Sequence, residues 1–308
     1  MSEPLFDKVA VVGLGLIGSS IARGIEERGL AASIAGFDGS DDVRARARAL
    51  GFCDLIADTP QDAVKDAELV VLAVPVGAMA SAAKSIAPHL AGGAIVTDVG
   101  SVKAAVIRGV GDELPAHAVF VPGHPVAGTE HSGPEAGFAD LFEGRWCVLT
   151  PCERSTEAAV GKVTALWTAL GSTVETMTPE HHDIVLAITS HIPHLIAYNI
   201  VGTAADLEDV TQSEVIKFSA GGFRDFTRIA ASDPVMWRDV FLNNKDAVLE
   251  VLGRFSEDLA ALQRMIRWDD GQSLQDHFTR TRAIRRGIID AGQDTPDADF
   301  GRPHGHED

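Results

Sequence analysis

The sequence predicts an α/β doubly wound, mostly parallel sheet followed by an all-α segment. Three observations predict it. Short β-rich apolar runs alternate with helical stretches over residues 1–178. A Gly-x-Gly-x-x-Gly loop, Gly13 to Gly18, joins the first of those runs to a helix. Beyond Pro179 the apolar spacing becomes helical and no strand pattern returns. The expected division is 1–178 for a dinucleotide-binding part, 179–290 for an all-helical part and 291–308 for a disordered tail rich in Asp, Pro, Gly and His.

In order, Val9–Val12 is the first strand and Ser19–Arg28 an amphipathic helix stopped by Gly29. Ala32–Phe37 is the second strand and ends in Asp38, 20 residues after Gly18. The unbroken apolar run Leu69–Val74 reads as a strand covered on both faces. Val76–Leu90 is helical, and Ala94–Thr97 is the next strand, with Ser101 placed to cap the helix after it. Val119–Val121 ends at Pro122, which puts His124 just past the carboxyl end of a strand, on a loop stiffened by Pro122 and Pro125. A strand near Trp146–Leu149, a helix over Ser155–Leu170 and a strand over Thr173–Met177 complete the alternation. Then come a helical stripe of Ile184, Ile188, His191, Leu195, Ile196 and Ile200, a long helix over Met236–Arg267, and a last one over Ser273–Ile289.

Composition narrows the function. At 308 residues the chain suits two domains. A net charge of −18 argues against nucleic acid or an anionic membrane as partner, and means that an anionic substrate needs a local Arg cluster. No apolar run is expected to reach the roughly 18–20 residues that span a bilayer. The start of the chain lacks signal-peptide features. Cys53, Cys147 and Cys152 form no CxxC pair, so a reducing cytoplasm is expected.

Strand, glycines, helix, second strand and terminal acid together make a dinucleotide fingerprint. Gly13 permits the tight turn, Gly15 lets the backbone of Gly13-Leu14-Gly15-Leu16-Ile17-Gly18 approach a pyrophosphate, and Gly18 lets the helix pack on the sheet. Phosphates then meet free N–H groups at the helix start. Asp38 would accept from a ribose and repel a 2′-phosphate. With no cation before Arg44, NAD is favoured over NADP.

Ser101 and His124 both follow strands of this part, so both can face a nicotinamide. A neutral imidazole there can take a hydroxyl proton as hydride leaves the same carbon. His191 and His194 stand three apart, but no carboxylate or Cys sits at ligand spacing, so no metal is expected. In Gly221–Arg228, Arg224 and Arg228 lie one helical turn apart and suit a carboxylate clamp, with Phe223 and Phe226 as core anchors. A surface helix with Asp225 neutralising one Arg is the alternative for the pair.

Five motifs now stand in order: Gly13–Gly18, Asp98–Lys103, Gly123–Glu130, Ser190–His194, and Gly221–Arg228 with Asp233–Trp237. Together they resemble the prephenate/arogenate (cyclohexadienyl) dehydrogenase family of tyrosine biosynthesis, over about residues 8–285. The resemblance implies a Rossmann-like domain, an all-helical dimerisation domain, a homodimer, and NAD-dependent oxidative decarboxylation of a cyclohexadienol. It makes His124 the acceptor of the ring-hydroxyl hydrogen bond and Ser101 its partner. It sets His194 in the substrate pocket, Arg228 on the ring carboxylate and Arg224 near the side-chain end. Thr129, Glu130 and Trp237 shape the pocket, with Trp237 able to come from the other subunit. Without a fused mutase in front or an ACT-like domain behind residue 290, any feedback by tyrosine is expected at or near the active site. Arg224 favours a pyruvyl side chain, that of prephenate. Asp225 and Glu130 leave room for the ammonium of arogenate, so dual use stays open. The related β-hydroxyacid dehydrogenases would use a catalytic Lys on the helical domain, and no Lys here stands in a comparable motif. A non-catalytic NAD sensor would not need Ser101, His124 and the Arg pair together.

Overall fold

The structure, a computed structural model, describes residues 3–129, 131–207 and 221–290. The first sheet has six parallel strands in the order β3-β2-β1-β4-β5-β6. These are β1 (Phe6–Val12), β2 (Ala31–Phe37), β3 (Leu55–Ile56), β4 (Leu69–Leu72), β5 (Ile95–Asp98) and β6 (Val119–Val121). The order reverses between β1 and β4, where Val9 pairs with Ile34 on one side and Leu69 on the other. That reversal opens the crevice in which ligands of such sheets bind.

Alternation along β1 explains the two layers. Val9 and Val11 enter one core with Ile21 and Ile25 of α1 (Leu16–Arg28) and Trp167 of α6 (Glu157–Ala169). Ala10 and Val12 enter the other core with Ile86 of α4 (Met79–Ile86) and Val106 and Val110 of α5 (Ala104–Glu113). With both faces covered, β4 has no exposed residue, as its unbroken apolar run requires. Two helices that the strand alternation did not reveal, α2 (Asp41–Leu50) and α3 (Pro60–Val64), flank β3. Ser40 and Thr59 accept hydrogen bonds from N–H groups in their first turns.

A second sheet of three strands, β7 (Gly123–Pro125), β8 (Trp146–Leu149) and β9 (Thr173–Thr176), stands beside the mostly parallel sheet that was expected. Here β7 runs antiparallel to β8. His124 therefore sits at the centre of a strand opposite Val148, not on a loop. The cause is Pro122. It interrupts pairing with β5 and lets the chain resume pairing one residue later on a new partner.

From Pro179 the chain is helical: α7 (Pro179–Leu186), a π turn (Ala187–His191) and α8 (Ile192–Asp206) form one continuous 28-residue helix. Its most apolar window has a mean hydropathy of 1.5, long and apolar enough by composition to cross a bilayer. This corrects the expectation that no such run existed. The expected stripe is divided: Ile184 (41% exposed), Ile188 (53%) and Ile200 face outward, Leu195 and Ile196 are half-buried, and His191 is buried with His182 and Asp183. The helix over Met236–Arg267 breaks at Asn244 into α10 (Pro234–Asn243) and α11 (Lys245–Arg267), after α9 (Gly221–Thr227). Asp233 caps α10 through the Met236 N–H. In α9, Phe226 is 44% exposed and does not anchor a core, because a seven-residue helix buries only one short face. The last helix is α12 (Gly271–Asp290). Packing divides the chain into two compact units, Met1–Val251 and Leu252–Asp308.

One fully buried ion pair ties the site-bearing strands together. Lys103 Nζ bonds Asp98 Oδ2 and donates to the Gly123 carbonyl, and both side chains have no solvent exposure. Truncating one partner leaves an uncompensated charge in low dielectric. Lys103→Met is expected to cost about 3–5 kcal/mol, read as a lower denaturant midpoint. An unchanged midpoint would mean that Asp98 carries no buried charge.

Candidate active site

The glycine loop lies at the end of β1, in the crevice. Gly13 has φ +99°, and a Cβ there would stand 2.4 Å from the Ala73 carbonyl oxygen. A Cβ on Gly18 would stand 1.9 Å from the Gly13 oxygen. Gly15 meets nothing within 4 Å, so its backbone borders open space. The α1 start, Leu16-Ile17, has no acidic residue in its first turn and no side-chain cap. Its free N–H groups and dipole are left for an anion. Those residues fit a dinucleotide pyrophosphate.

Asp38 follows β2. Its Oδ2 accepts the Leu14 N–H at 2.9 Å and its Oδ1 accepts the Ser40 N–H at 2.9 Å. The carboxylate thus braces the loop, and each oxygen keeps lone-pair capacity for a ribose. Arg44 reaches this end after all: its guanidinium donates to the Asp38 carbonyl at 2.7 Å and pairs with Asp41. It is already engaged, which preserves the acidic character of the position.

His124 is 7% exposed, and its Nδ1 lies 2.8 Å from His182 Nε2. In turn His182 Nδ1 lies 2.8 Å from Asp183 Oδ1. Asp183 also accepts the Lys103 N–H at 2.7 Å and the Ala104 N–H at 3.0 Å, which makes it the cap of α5 from across the fold. Ser101 is therefore not the cap: the residue flanking the helix is Lys103, and Asp183 supplies the carboxylate. Nor does Ser101 hydrogen-bond His124 among the described contacts; His182 holds that place. Asn244, from the break between α10 and α11, donates to the Asp183 carbonyl at 2.8 Å and approaches His191 Nδ1 at 3.1 Å.

Burial pushes the His124 pKa well below its usual value, and the charges of His182, Lys103 and His191 push the same way. Burial likewise lowers His182, against the opposing hydrogen bond of Asp183. His191 is pushed down by burial to about 4. For Asp183, burial acts upward, but the His182 bond and the two backbone N–H donors outweigh it and hold the carboxyl low. The cluster is three neutral imidazoles around one carboxylate.

On the other side of the helix turn, His194 stacks on Trp237 with ring centroids 3.7 Å apart, and its Nδ1 lies 2.8 Å from the Ser190 carbonyl. Burial lowers the His194 pKa against the Ser190 carbonyl bond, and the Arg228 charge acts in the same direction as burial. Trp237 is 7% exposed and packs against His194 and His191 of its own chain. Arg224 and Thr129 are exposed. Arg224 and Arg228 fall on either side of the step from α9 to a 3-10 turn (Arg228–Ala231). Glu130 and the expected tail, residues 291–308, lie outside the described residues. A groove of about 580 Å³ between α8 and α10 is lined by Tyr198, Trp237, Arg238 and Phe241 among others, but not by His124 or the glycine loop. The crevice is placed by strand topology instead.

Sequence reasoning missed Lys103, His182, Asp183 and Asn244 as members of the site. One signal could have found two of them: Thr178-Pro179 opens a helix whose first turns carry His182-Asp183 in an otherwise apolar run.

Fold and site define a dinucleotide-binding oxidoreductase with a helical second half. Residues 21–176 match the family described as "Prephenate dehydrogenase, nucleotide-binding domain" and residues 178–280 match "Prephenate dehydrogenase, dimerization domain". The chain is 44% identical to a cyclohexadienyl dehydrogenase of Zymomonas mobilis over 92% of its length and 97% of the relative's. It is 35% identical to a prephenate dehydrogenase of Bacillus subtilis, covering 92% of the chain and 76% of the relative. Its fold superposes on prephenate dehydrogenase from Aquifex aeolicus, solved with hydroxyphenyl propionate and NAD+, with a TM-score of 0.86, 34% identity and coverage of 94% and 99%. The chain belongs to the prephenate dehydrogenase family.

The glycines separate folding from binding. Gly18→Ala is expected to destabilise by about 1–3 kcal/mol through overpacking. Gly15→Ala should leave the unfolding midpoint nearly unchanged while weakening dinucleotide binding about tenfold or more, since a new methyl group occupies the phosphate approach. Thermal unfolding beside titration calorimetry distinguishes them; equal dinucleotide affinity for Gly15→Ala and the unaltered chain would relocate the pyrophosphate.

Proposed function

We propose that the chain is an NAD-dependent dehydrogenase that oxidatively decarboxylates prephenate to 4-hydroxyphenylpyruvate. The observation that carries the reading is His124, held buried and neutral where the sheet of the nucleotide-binding half ends. Bound at the glycine loop, NAD supplies the hydride acceptor. Asp38, with its carboxylate facing a ribose and Arg44 already paired, favours NAD over NADP. His124 takes the proton of the ring hydroxyl. The ring carboxylate leaves as carbon dioxide, and aromatisation makes the overall step downhill. The chain therefore has mainly to orient the substrate and accept a proton.

Ser101 lies on the loop after β5 and contacts the substrate oxygen in this reading. Arg228, beside His194, steers the ring carboxylate, and Arg224 meets the side-chain end. Thr129, Glu130 and Trp237 close the pocket. We place the boundary between the dinucleotide part and the helical part at residues 178–179, where Thr178 caps the helix that begins at Pro179. We read the outward Ile184, Ile188 and Ile200 as a face for a second copy, and so propose a homodimer in the cytoplasm. The family description of residues 178–280 as a dimerisation domain supports that reading over a membrane for the same helix.

Arogenate, or use of both substrates, is the second reading. It is favoured by the 44% identity to a cyclohexadienyl dehydrogenase and by the structural likeness to an arogenate dehydrogenase of Synechocystis, with a TM-score of 0.77 and 26% identity over 91% of the chain.

Steady-state formation of reduced cofactor with both substrates and both cofactors tests these readings, and silence with both prephenate and arogenate would sink the enzyme. Because its imidazole is depressed, His124 stays unprotonated as pH falls through the ordinary histidine range. The acid limb of kcat/KM should then lie below pH 6.5. His124→Asn should lower kcat by about 10²–10⁴-fold while substrate still binds. In contrast, Arg228→Ala should chiefly raise KM, by about 10–100-fold for a lost charged hydrogen bond; an unaltered KM would place the clamp elsewhere.

A further inference from the structure

The geometry points to Asp183 and His182 as positioning residues that fix the tautomer of His124, so that its Nε2 is the bare, proton-accepting nitrogen. The inference deepens the proposed function and rests on it for its kinetic part.

The argument runs along hydrogen-bond polarity. Asp183 is surrounded by donors, the Lys103 and Ala104 N–H groups, so its carboxylate acts as acceptor. His182 Nδ1, at 2.8 Å from Asp183 Oδ1, must carry the hydrogen of that bond. A neutral His182 then presents a lone pair at Nε2, and burial is what keeps it neutral. Across the 2.8 Å gap, His124 Nδ1 must in turn be the donor. A neutral imidazole carries one N–H, so His124 Nε2 is left unprotonated, with no hydrogen-bond partner among the described residues.

Two further features hold the chain in place. Asp183 is anchored on α5 by its capping bonds, and Asn244 donates to its backbone carbonyl. His124 is held in β7 by pairing with β8 and by the Lys103 ammonium on the adjacent Gly123 carbonyl. Neither ring can rotate without breaking a buried bond. Once His124 gains a proton, its Nδ1–H still points at His182, which in turn points at the carboxylate. The new charge is then stabilised along the row without further proton movement.

The test reads tautomers directly. In the full-length protein labelled with nitrogen-15 histidine, with His124→Asn used for assignment, wild-type His124 should show a protonated Nδ1 and a bare Nε2 without substrate. Asp183→Asn can donate its amide to His182 Nδ1, which reverses the row and should convert His124 to the Nε2–H form. It should lower kcat by about 10²–10⁴-fold and change KM by less than about threefold. If loss of the cap prevents that variant from folding, His182 decides. Gln can accept from His124 Nδ1 and should keep kcat within about tenfold of wild type, whereas His182→Leu should fall as far as a lost base does. A protonated Nε2 in the wild type, or equal kcat for His182→Gln and His182→Leu, would overturn the inference. The tautomer is measured without turnover, so inactivity toward both substrates would defeat the proposed function while leaving the tautomer result standing.

Discussion

Everything at the site hangs on a charge that the fold cannot expose. Lys103 is buried completely, and its ammonium must find acceptors within the protein. It finds Asp98, at the end of β5, and the Gly123 carbonyl, at the start of β7. Asp98 spends its remaining capacity on backbone: Oδ2 also accepts the Gly100 N–H at 2.8 Å, and Oδ1 the Gly123 N–H at 3.3 Å. Gly123 is thereby gripped at both its N–H and its carbonyl. A Cβ there would come within 3.2 Å of the Asp98 carbonyl oxygen and Leu149, which is why the grip closes around a glycine. The next residue is His124. Its backbone position is set by a buried ion pair that grips the preceding residue.

The same cation shapes the electrostatics. A chain with a net charge of −18 would be expected to hold its histidines protonated by background attraction. Inside, the opposite holds: burial first, then His182, Lys103 and His191, lower the His124 pKa, and burial with Lys103 lowers that of His182 against the pull of Asp183 and Asp98. Surface charge is screened by water, whereas the cation beside His124 acts in a water-poor interior. The local arrangement therefore overrides the global sign. A neutral imidazole at His124 follows from packing.

What could be read from the sequence was what is local. The glycine loop, Asp38 and the apolar strands announce themselves within a few residues, because turn, approach and pairing constraints act at short range. His124 was legible as a residue but not as part of a strand, since its partner Val148 lies far along the chain. His182 is 58 residues from His124, and Asp183 is 80 from Lys103; no spacing rule links them. Asn244 was hidden in a helical pattern it interrupts, because its value lies in two acceptors on another helix. The stripe of Ile184, Ile188, His191, Leu195, Ile196 and Ile200 was visible, yet Ile184, Ile188 and Ile200 face outward, because hydrophobic periodicity identifies a helix without saying which partner covers its apolar face.

That division of the helix has a mechanical side. In an ordinary surface helix the apolar stripe faces the core and the polar face meets water. Along Pro179–Asp206 the buried face carries His182, Asp183 and His191 among Leu186, Ala187, Ile192 and Ala197, while Ile184, Ile188 and Ile200 face out. The π turn over Ala187–His191, closed by the Ile192 N–H on the Ala187 carbonyl, adds a residue to one turn just before Pro193. It lets Ile188 face outward and His191 inward within a single turn, and it accommodates a proline that offers no N–H to the ladder. One rigid element therefore carries the histidine row on one side and an uncovered apolar face on the other. A second copy seated on that face would press the histidine side toward β7 and α5, adding to the burial of Leu186, Ala187, Ile192 and Ala197. Dimerisation and alignment of His182 against His124 would then be two consequences of the same helix.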